Sequence, residues 1–156
     1  MSIPSTTRNI QFHELQKHAA LRNRRLLKRF ILIIFRSEKK VVERLDVVFC
    51  TDQYLLQKNQ QYLGHNTYTD ILTFDLSETT DKIAAEIYIS SPRIRENSIL
   101  YNTSNEDETY RVLFHGILHL CGYRDKTLRE KTIMRSKENQ YLRRYRRFVS
   151  RETGST

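Results

Sequence analysis

The chain has 156 residues, a formal net charge of +9, and 38% hydrophobic residues. This length suits a single domain, residues 1–156, with a modest core. The first eight residues are polar and the longest apolar run covers only residues 30–35, so the sequence predicts neither a signal peptide nor a transmembrane helix. Cys50 and Cys121 are too few for a disulfide framework and lie in apolar segments, which favours a reduced, cytoplasmic protein.

The N-terminal half predicts alternating strands and helices. Residues 10–12 form a candidate short strand, and apolar residues at positions 27, 30, 31 and 34 predict a helix from about Ala19 to Ser37. Residues 45–50 are typical of a buried strand. Thr51 or Asp52 then caps a helix that ends near Gly64.

The C-terminal half begins with a predicted hairpin, formed by residues 71–74 and 83–89 around the polar loop 77–82. Pro92 is predicted to start the next helix, in the first turn where proline fits. Asn105 supplies a candidate N-cap, followed by acidic residues 106–108, for a helix that continues to Leu120. A last basic helix is predicted over residues 128–148, with a frayed end from about residue 149.

Residues 114–125, with the sequence FHGILHLCGYRD, contain the pattern with the clearest chemistry. His115 and His119 are four residues apart, so on a helix they lie on one face and can bind one ion. Gly122 is placed to end that helix in a left-handed conformation, which lets the chain return Asp125 toward both imidazoles. Three ligands leave a fourth position open, as in a catalytic rather than a structural zinc site, and predict one Zn²⁺ per chain. A helical histidine pair also occurs in core packing or capping, and Asp125 at the start of the next helix is the competing interpretation.

Position 116 is glycine, where a zincin protease carries the glutamate that activates the attacking water. The sequence therefore disfavours peptide-bond hydrolysis by the usual metalloprotease route.

Charge is unevenly distributed along the chain. Residues 8–40 and residues 124–151 each carry a net +8, whereas residues 41–123 carry a net −6. Basic stretches are commonly solvated helix faces. Two basic flanks beside a metal motif also favour a polyanionic substrate such as RNA. The candidate RNA-binding residues occupy more than one face of the last predicted helix: Arg143, Arg144, Arg146 and Arg147.

Three segments resemble one known family. Residues 115–123 (HGILHLCGY) are similar to the signature of the YbeY family of bacterial metal-dependent endoribonucleases, which act in ribosomal RNA maturation. Asn59 and Tyr62, followed by residues 68–74 (YTDILTF), resemble the family block N-x-x-Y-R…P-T-D-V-L-S-F, and residues 85–90 (AEIYIS) resemble its G-D-I-x-I-S strand. The resemblance covers roughly positions 40 to 140 in the family's order.

The chain departs from the family pattern at three positions. Asp125, preceded by Arg124, replaces the usual third histidine of the motif. Leu63 replaces the arginine after the tyrosine, so a phosphate contact by that arginine cannot be transferred to this chain. Tyr68 replaces the proline before Thr69.

The sequence and the resemblance together predict a single α+β domain with a mixed, twisted sheet of about four strands packed with helices, which the family implies is zincin-like. The resemblance implies a zinc-dependent, single-strand-specific endoribonuclease that acts in 16S rRNA maturation and ribosome quality control. Its ion would be held by His115, His119 and Asp125, and would polarise a phosphoryl oxygen or lower the pKa of a water molecule. The resemblance also places Asp70 beside the cleft as an acidic catalytic candidate, although an aspartate at such a turn is ordinary turn chemistry.

The predicted partners are single-stranded rRNA and the small ribosomal subunit, with no membrane and no nucleotide cofactor. One alternative is a non-catalytic RNA-binding ribosome assembly factor whose metal stabilises only the fold. Another is a metalloprotease, which Gly116 disfavours.

Overall fold

A four-stranded mixed sheet forms the centre of the fold in the computed structural model, which describes residues 6–17, 21–65 and 67–154. The strand order is β1-β2-β4-β3. Neighbouring strands among β1, β2 and β4 are parallel, and β3 is antiparallel to β4. The bounds are β1 (Ile10–Glu14), β2 (Val41–Cys50), β3 (Ile71–Asp75) and β4 (Lys82–Ser90). The predicted α+β class and the predicted hairpin are therefore confirmed.

Within the described ranges, five helices connect and cover these strands: α1 (Arg24–Ser37), α2 (Asp52–Leu63), α3 (Ser91–Leu100), α4 (Asn105–Leu120) and α5 (Leu128–Thr153). A single turn of 3-10 helix, Thr7–Asn9, precedes β1. Helix α1 ends where predicted but begins at Arg24, because Asn23 adopts a left-handed conformation with φ of 50°. The predicted start at Ala19 lies outside the described residues. Strand β2 begins at Val41, earlier than the predicted Leu45, because residues 41 and 42 also pair with β4.

Polar side chains cap the N-termini of α2, α3, α4 and α5. Thr51 caps α2 by accepting a hydrogen bond from the backbone N–H of Tyr54, as predicted. Helix α3 is capped by Ser90 and begins one residue before Pro92. The predicted cap of α4 is wrong by one residue: Ser104 has the extended backbone and accepts from the N–H of Asp107, so Asn105 is already helical.

Helix α5 extends past its predicted end at Phe148, and past residue 149 where fraying was expected. It continues to Thr153 and ends at Gly154, which has φ of 70°. Arg29 of α1 lies 2.9 Å from Glu152, so this ion pair joins the last turn of α5 to α1.

The sheet separates two hydrophobic cores. Alternate side chains of β2 point to opposite faces, with Val47 and Phe49 in the larger core and Val48 and Cys50 in the smaller one. The larger core lies under α1, α4 and α5, and the smaller core is closed by Leu55 of α2. No helix in the described ranges has the length and apolar character needed to cross a bilayer.

Candidate metal centre

Helix α4 places both histidines of the motif on one face. His115 and His119 are one turn apart, their ring centroids are 4.5 Å apart, and their Nε2 atoms are 3.0 Å apart. The apolar side chains of this helix pack into the core, and Val112, Leu113, Ile117 and Leu120 are all buried. The amphipathic pattern therefore fixes which face carries the imidazoles.

The end of α4 returns the chain toward the histidines. The N–H of Gly122 donates to the carbonyl of His119, and the N–H of Tyr123 donates to the carbonyl of Leu118, which are the two hydrogen bonds of a Schellman motif. Gly122 has φ of 100°, a conformation that glycine adopts without a Cβ penalty. The turn brings Oδ2 of Asp125 to 3.2 Å from Nε2 of His115 and 3.3 Å from Nε2 of His119.

Each histidine is oriented by a hydrogen bond at its other ring nitrogen. Nδ1 of His119 is 2.9 Å from the backbone carbonyl of Tyr123, which can only accept, so Nδ1 carries the proton. Nδ1 of His115 is 2.7 Å from the carboxylate of Glu138 on α5. Both bonds leave Nε2 as a lone-pair donor that points at Asp125.

Glu138 also affects the protonation of His115. Burial lowers the pKa of His115, but the hydrogen bond and charge of Glu138, together with the charge of Asp125, outweigh burial and raise that pKa above its ordinary value. Two imidazole lone pairs and one carboxylate oxygen therefore face one another, an arrangement that a proton or a cation stabilises.

The donor set fits a metal ion in both chemistry and spacing. His115, His119 and Asp125 can each offer one ligand atom to a shared ion. Tetrahedral zinc with bonds of about 2.0–2.2 Å places neighbouring donor atoms roughly 3.3–3.6 Å apart, close to the spacings of the three donor atoms here. Side-chain exposures of 24% for His115, 30% for His119 and 41% for Asp125 leave one side of the group open to solvent.

Gly116 packs directly against the sheet. A Cβ atom at this position would lie 2.7 Å from Cδ1 of Ile71 and 3.0 Å from Oγ1 of Thr73, both on β3. A glutamate here would have to displace side chains of β3, so the close packing disfavours a protease-type glutamate at position 116.

A cleft of about 550 Å³ opens beside the three donor atoms. It is lined by His115, Asp125 and the predicted catalytic candidate Asp70. The side chain of Asp70 accepts a hydrogen bond from Nδ2 of Asn97 at 3.2 Å. Burial raises the pKa of Asp70 against the opposing effect of the His115 charge. The structure thus brings Asp70 into the same cleft as two members of the His-His-Asp group.

The four arginines predicted to contact RNA lie elsewhere on α5, and none of them lines this cleft. Arg144 stacks on the ring of Tyr141 at 5.2 Å, and Arg146 forms an ion pair with Asp107 at 2.8 Å. Arg143 and Arg147 are exposed.

Several cleft residues on α4 and α5 were not predicted from the sequence. Glu138 had one usable signal: it occupies an inward position of α5, on the same stripe as the buried residues Met134, Tyr141 and Tyr145. A glutamate on an apolar stripe indicates a buried partner, which here is His115. The cleft also contains the basic side chains of Arg111, Lys131 and Arg135. No sequence pattern distinguished them from the other basic residues of the chain.

The fold and the site define a class of small α+β domains in which a helix packed on a mixed sheet presents two histidines and a carboxylate to an open cleft. The family model for Endoribonuclease YbeY matches residues 9–146. The chain belongs to this family.

Individual relatives agree with the family assignment. The chain is 46% identical to Endoribonuclease YbeY of Cytophaga hutchinsonii over 122 residues, which cover 78% of this chain and 85% of the relative. It is 40% identical to Endoribonuclease YbeY of Karelsulcia muelleri over 131 residues, covering 84% and 91% of the two chains. The solution structure of TM1509 from Thermotoga maritima matches with a TM-score of 0.60 and 29% identity, and covers 93% of both chains.

Proposed function

We propose that this protein is a zinc-dependent endoribonuclease that cleaves single-stranded RNA, with one ion held by His115, His119 and Asp125. The observation that carries the proposal is the convergence of three donor atoms within 3.0–3.3 Å of one another, beside an open cleft, in a member of the Endoribonuclease YbeY family. A bound divalent ion supplies Lewis acidity toward a phosphodiester and lowers the pKa of water.

The chain's own groups have separate parts in this proposal. The Tyr123 carbonyl and the Glu138 carboxylate bind the Nδ1 atoms, which leaves both Nε2 atoms available to hold an ion. Asp70, whose pKa is raised by burial, is the proposed acid–base group of the cleft. Its carboxyl group is oriented by Asn97.

The biological setting belongs to the same proposal. The substrate is single-stranded rRNA, and the activity serves 16S rRNA maturation and ribosome quality control at the small ribosomal subunit. Two free cysteines support a reducing, cytoplasmic location. Four arginines of the basic stretch on α5 are proposed to hold RNA outside the cleft through phosphate contacts: Arg143, Arg144, Arg146 and Arg147.

The test compares cleavage of unstructured RNA and of casein by the zinc-loaded protein. We expect RNA cleavage and no casein cleavage, because Gly116 leaves the helix without a protease glutamate. Asp125→Ala is expected to lose both zinc and RNA cleavage, whereas Asp125→His keeps a nitrogen donor and is expected to retain zinc. RNA binding without cleavage would instead identify a non-catalytic assembly factor. Casein cleavage would identify a protease.

A further inference from the structure

Three basic side chains form one wall of the cleft beside the His-His-Asp group. Arg111 comes from α4, one turn before His115, and Lys131 and Arg135 come from α5. Two helices that are distant in sequence therefore place cations along the same wall.

The buried carboxylate of Glu138 holds this wall in place. Its side chain is only 5% exposed, and its Oε1 lies 3.2 Å from Nη1 of Arg111 and 3.6 Å from Nη1 of Arg135. Its other oxygen, Oε2, binds His115. One negative charge thus orders two guanidinium groups and leaves the wall with net positive charge.

Two carboxyl side chains also line the cleft: Asp70, directly before β3, and Glu108, one turn before Arg111 on α4. Burial raises the pKa of both carboxyl groups, and the charge of Arg111 opposes burial at Glu108. Within the cleft, an anionic ligand is therefore attracted to the cationic groups of Arg111, Lys131 and Arg135.

We propose that Arg111, Lys131 and Arg135 form a phosphate-binding subsite that seats the backbone of a single-stranded polynucleotide beside the metal centre. This inference rests on the proposed function for its substrate class and extends it by assigning the cleft contacts to these three residues. Arg111 is 23% exposed and is fixed by Glu138, whereas Arg135 is 63% exposed and reaches the cleft mouth. The guanidinium groups are suited to paired hydrogen bonds with phosphate oxygens, and the lysine acts as a point charge.

The experiment measures binding of a labelled single-stranded DNA oligonucleotide to the zinc-loaded full-length protein as a function of salt. DNA lacks the 2′-hydroxyl, and its phosphates test the subsite independently of RNA cleavage. The variants are Lys131→Gln, Arg135→Gln and their double variant. Arg129→Gln is the matched control, because Arg129 is an exposed arginine of α5 that does not line the cleft.

We expect each cleft variant to weaken binding and to lower the salt slope by roughly 0.7, and the double variant to lower it by about twice that amount. Arg129→Gln is expected to keep the parental slope. A double variant with parental affinity and slope would overturn the proposal, as would an Arg129→Gln variant that loses as much as the cleft variants. Inorganic phosphate added as competitor separates the two sources of phosphate: strong displacement at low concentration would identify a small-anion site and would refute a polynucleotide subsite.

The failure of this subsite and the failure of the proposed function give different results. If the zinc-loaded protein cleaves no RNA but the cleft variants still lower the salt slope, the proposed activity is wrong and the subsite stands. If RNA is cleaved and the double variant binds and cleaves like the parent, the activity stands and the subsite is wrong. Arg111→Lys provides a further check that retains the charge opposite Glu138. It is expected to weaken binding because it loses the paired guanidinium donors.

Discussion

The close packing of α4 on β3 makes Gly116→Ala an informative change. The added Cβ would lie 2.7 Å from Cδ1 of Ile71, 3.0 Å from Oγ1 of Thr73 and 3.4 Å from Cδ1 of Ile87. Overpacking of this kind costs about 1–3 kcal/mol. Replacing a helical glycine by alanine recovers about 1 kcal/mol of backbone entropy. Cδ1 of Ile71 ends a flexible side chain and can move, whereas Oγ1 of Thr73 is on a stiff β-branched residue, so the cost remains larger than the gain.

We therefore expect Gly116→Ala to lower the free energy of unfolding by about 1 kcal/mol, which corresponds to a fall in Tm of roughly 2–4 °C for a chain of this size. The assay is urea and thermal unfolding of metal-free protein, so that zinc affinity does not enter the result. Ser136→Ala, at an exposed position of α5, is the control and is expected to be neutral or slightly stabilising. A Gly116→Ala protein more stable than the parent would refute the close approach of α4 to β3.

Other predictions concern separate parts of the molecule. Glu138→Gln keeps a hydrogen-bond acceptor for His115 but loses the negative charge. We expect zinc affinity, measured by competition with a chelator, to fall about 10–100-fold. Unchanged zinc affinity would contradict the orienting role of Glu138. Burial raises the pKa of Cys50 and of Cys121 to about 12. Both thiols should therefore resist alkylation at pH 8 until the protein is unfolded. Rapid labelling of the native protein would contradict this burial. The last prediction replaces four arginines of α5 with glutamine: Arg143, Arg144, Arg146 and Arg147. RNA binding should weaken about equally for all sequences, and RNA affinity should depend less steeply on salt concentration. A salt dependence equal to that of the parent would show that these arginines do not contact RNA.

The geometry of the candidate metal centre could be predicted because its determinants are local. Two histidines one turn apart, a glycine turn and Asp125 all lie within residues 115–125, so helix periodicity and the left-handed Gly122 are enough to bring three donor atoms together. The hairpin of β3 and β4 is similarly local, and its prediction is confirmed.

The surroundings of the centre depend on contacts between distant residues, which periodicity does not report. Glu138 binds His115 across 23 positions of sequence, because α5 folds back along α4. Charge counts indicated a basic last helix but not which of its side chains enter the cleft. Arg146 instead pairs with Asp107, 39 positions away. The residue that caps α4 was misassigned because Ser104 and Asn105 are both good caps and only the backbone conformation distinguishes them.

The most direct test of the proposed metal-dependent activity is a zinc titration of metal-free protein, with cleavage of single-stranded RNA measured at each addition. We predict no cleavage without zinc, a rate that rises to a plateau at one equivalent, and neither binding nor cleavage in His119→Ala at the same zinc concentrations. Full cleavage by the metal-free parent, or one tightly bound zinc retained by His119→Ala, would contradict an endoribonuclease built on His115, His119 and Asp125.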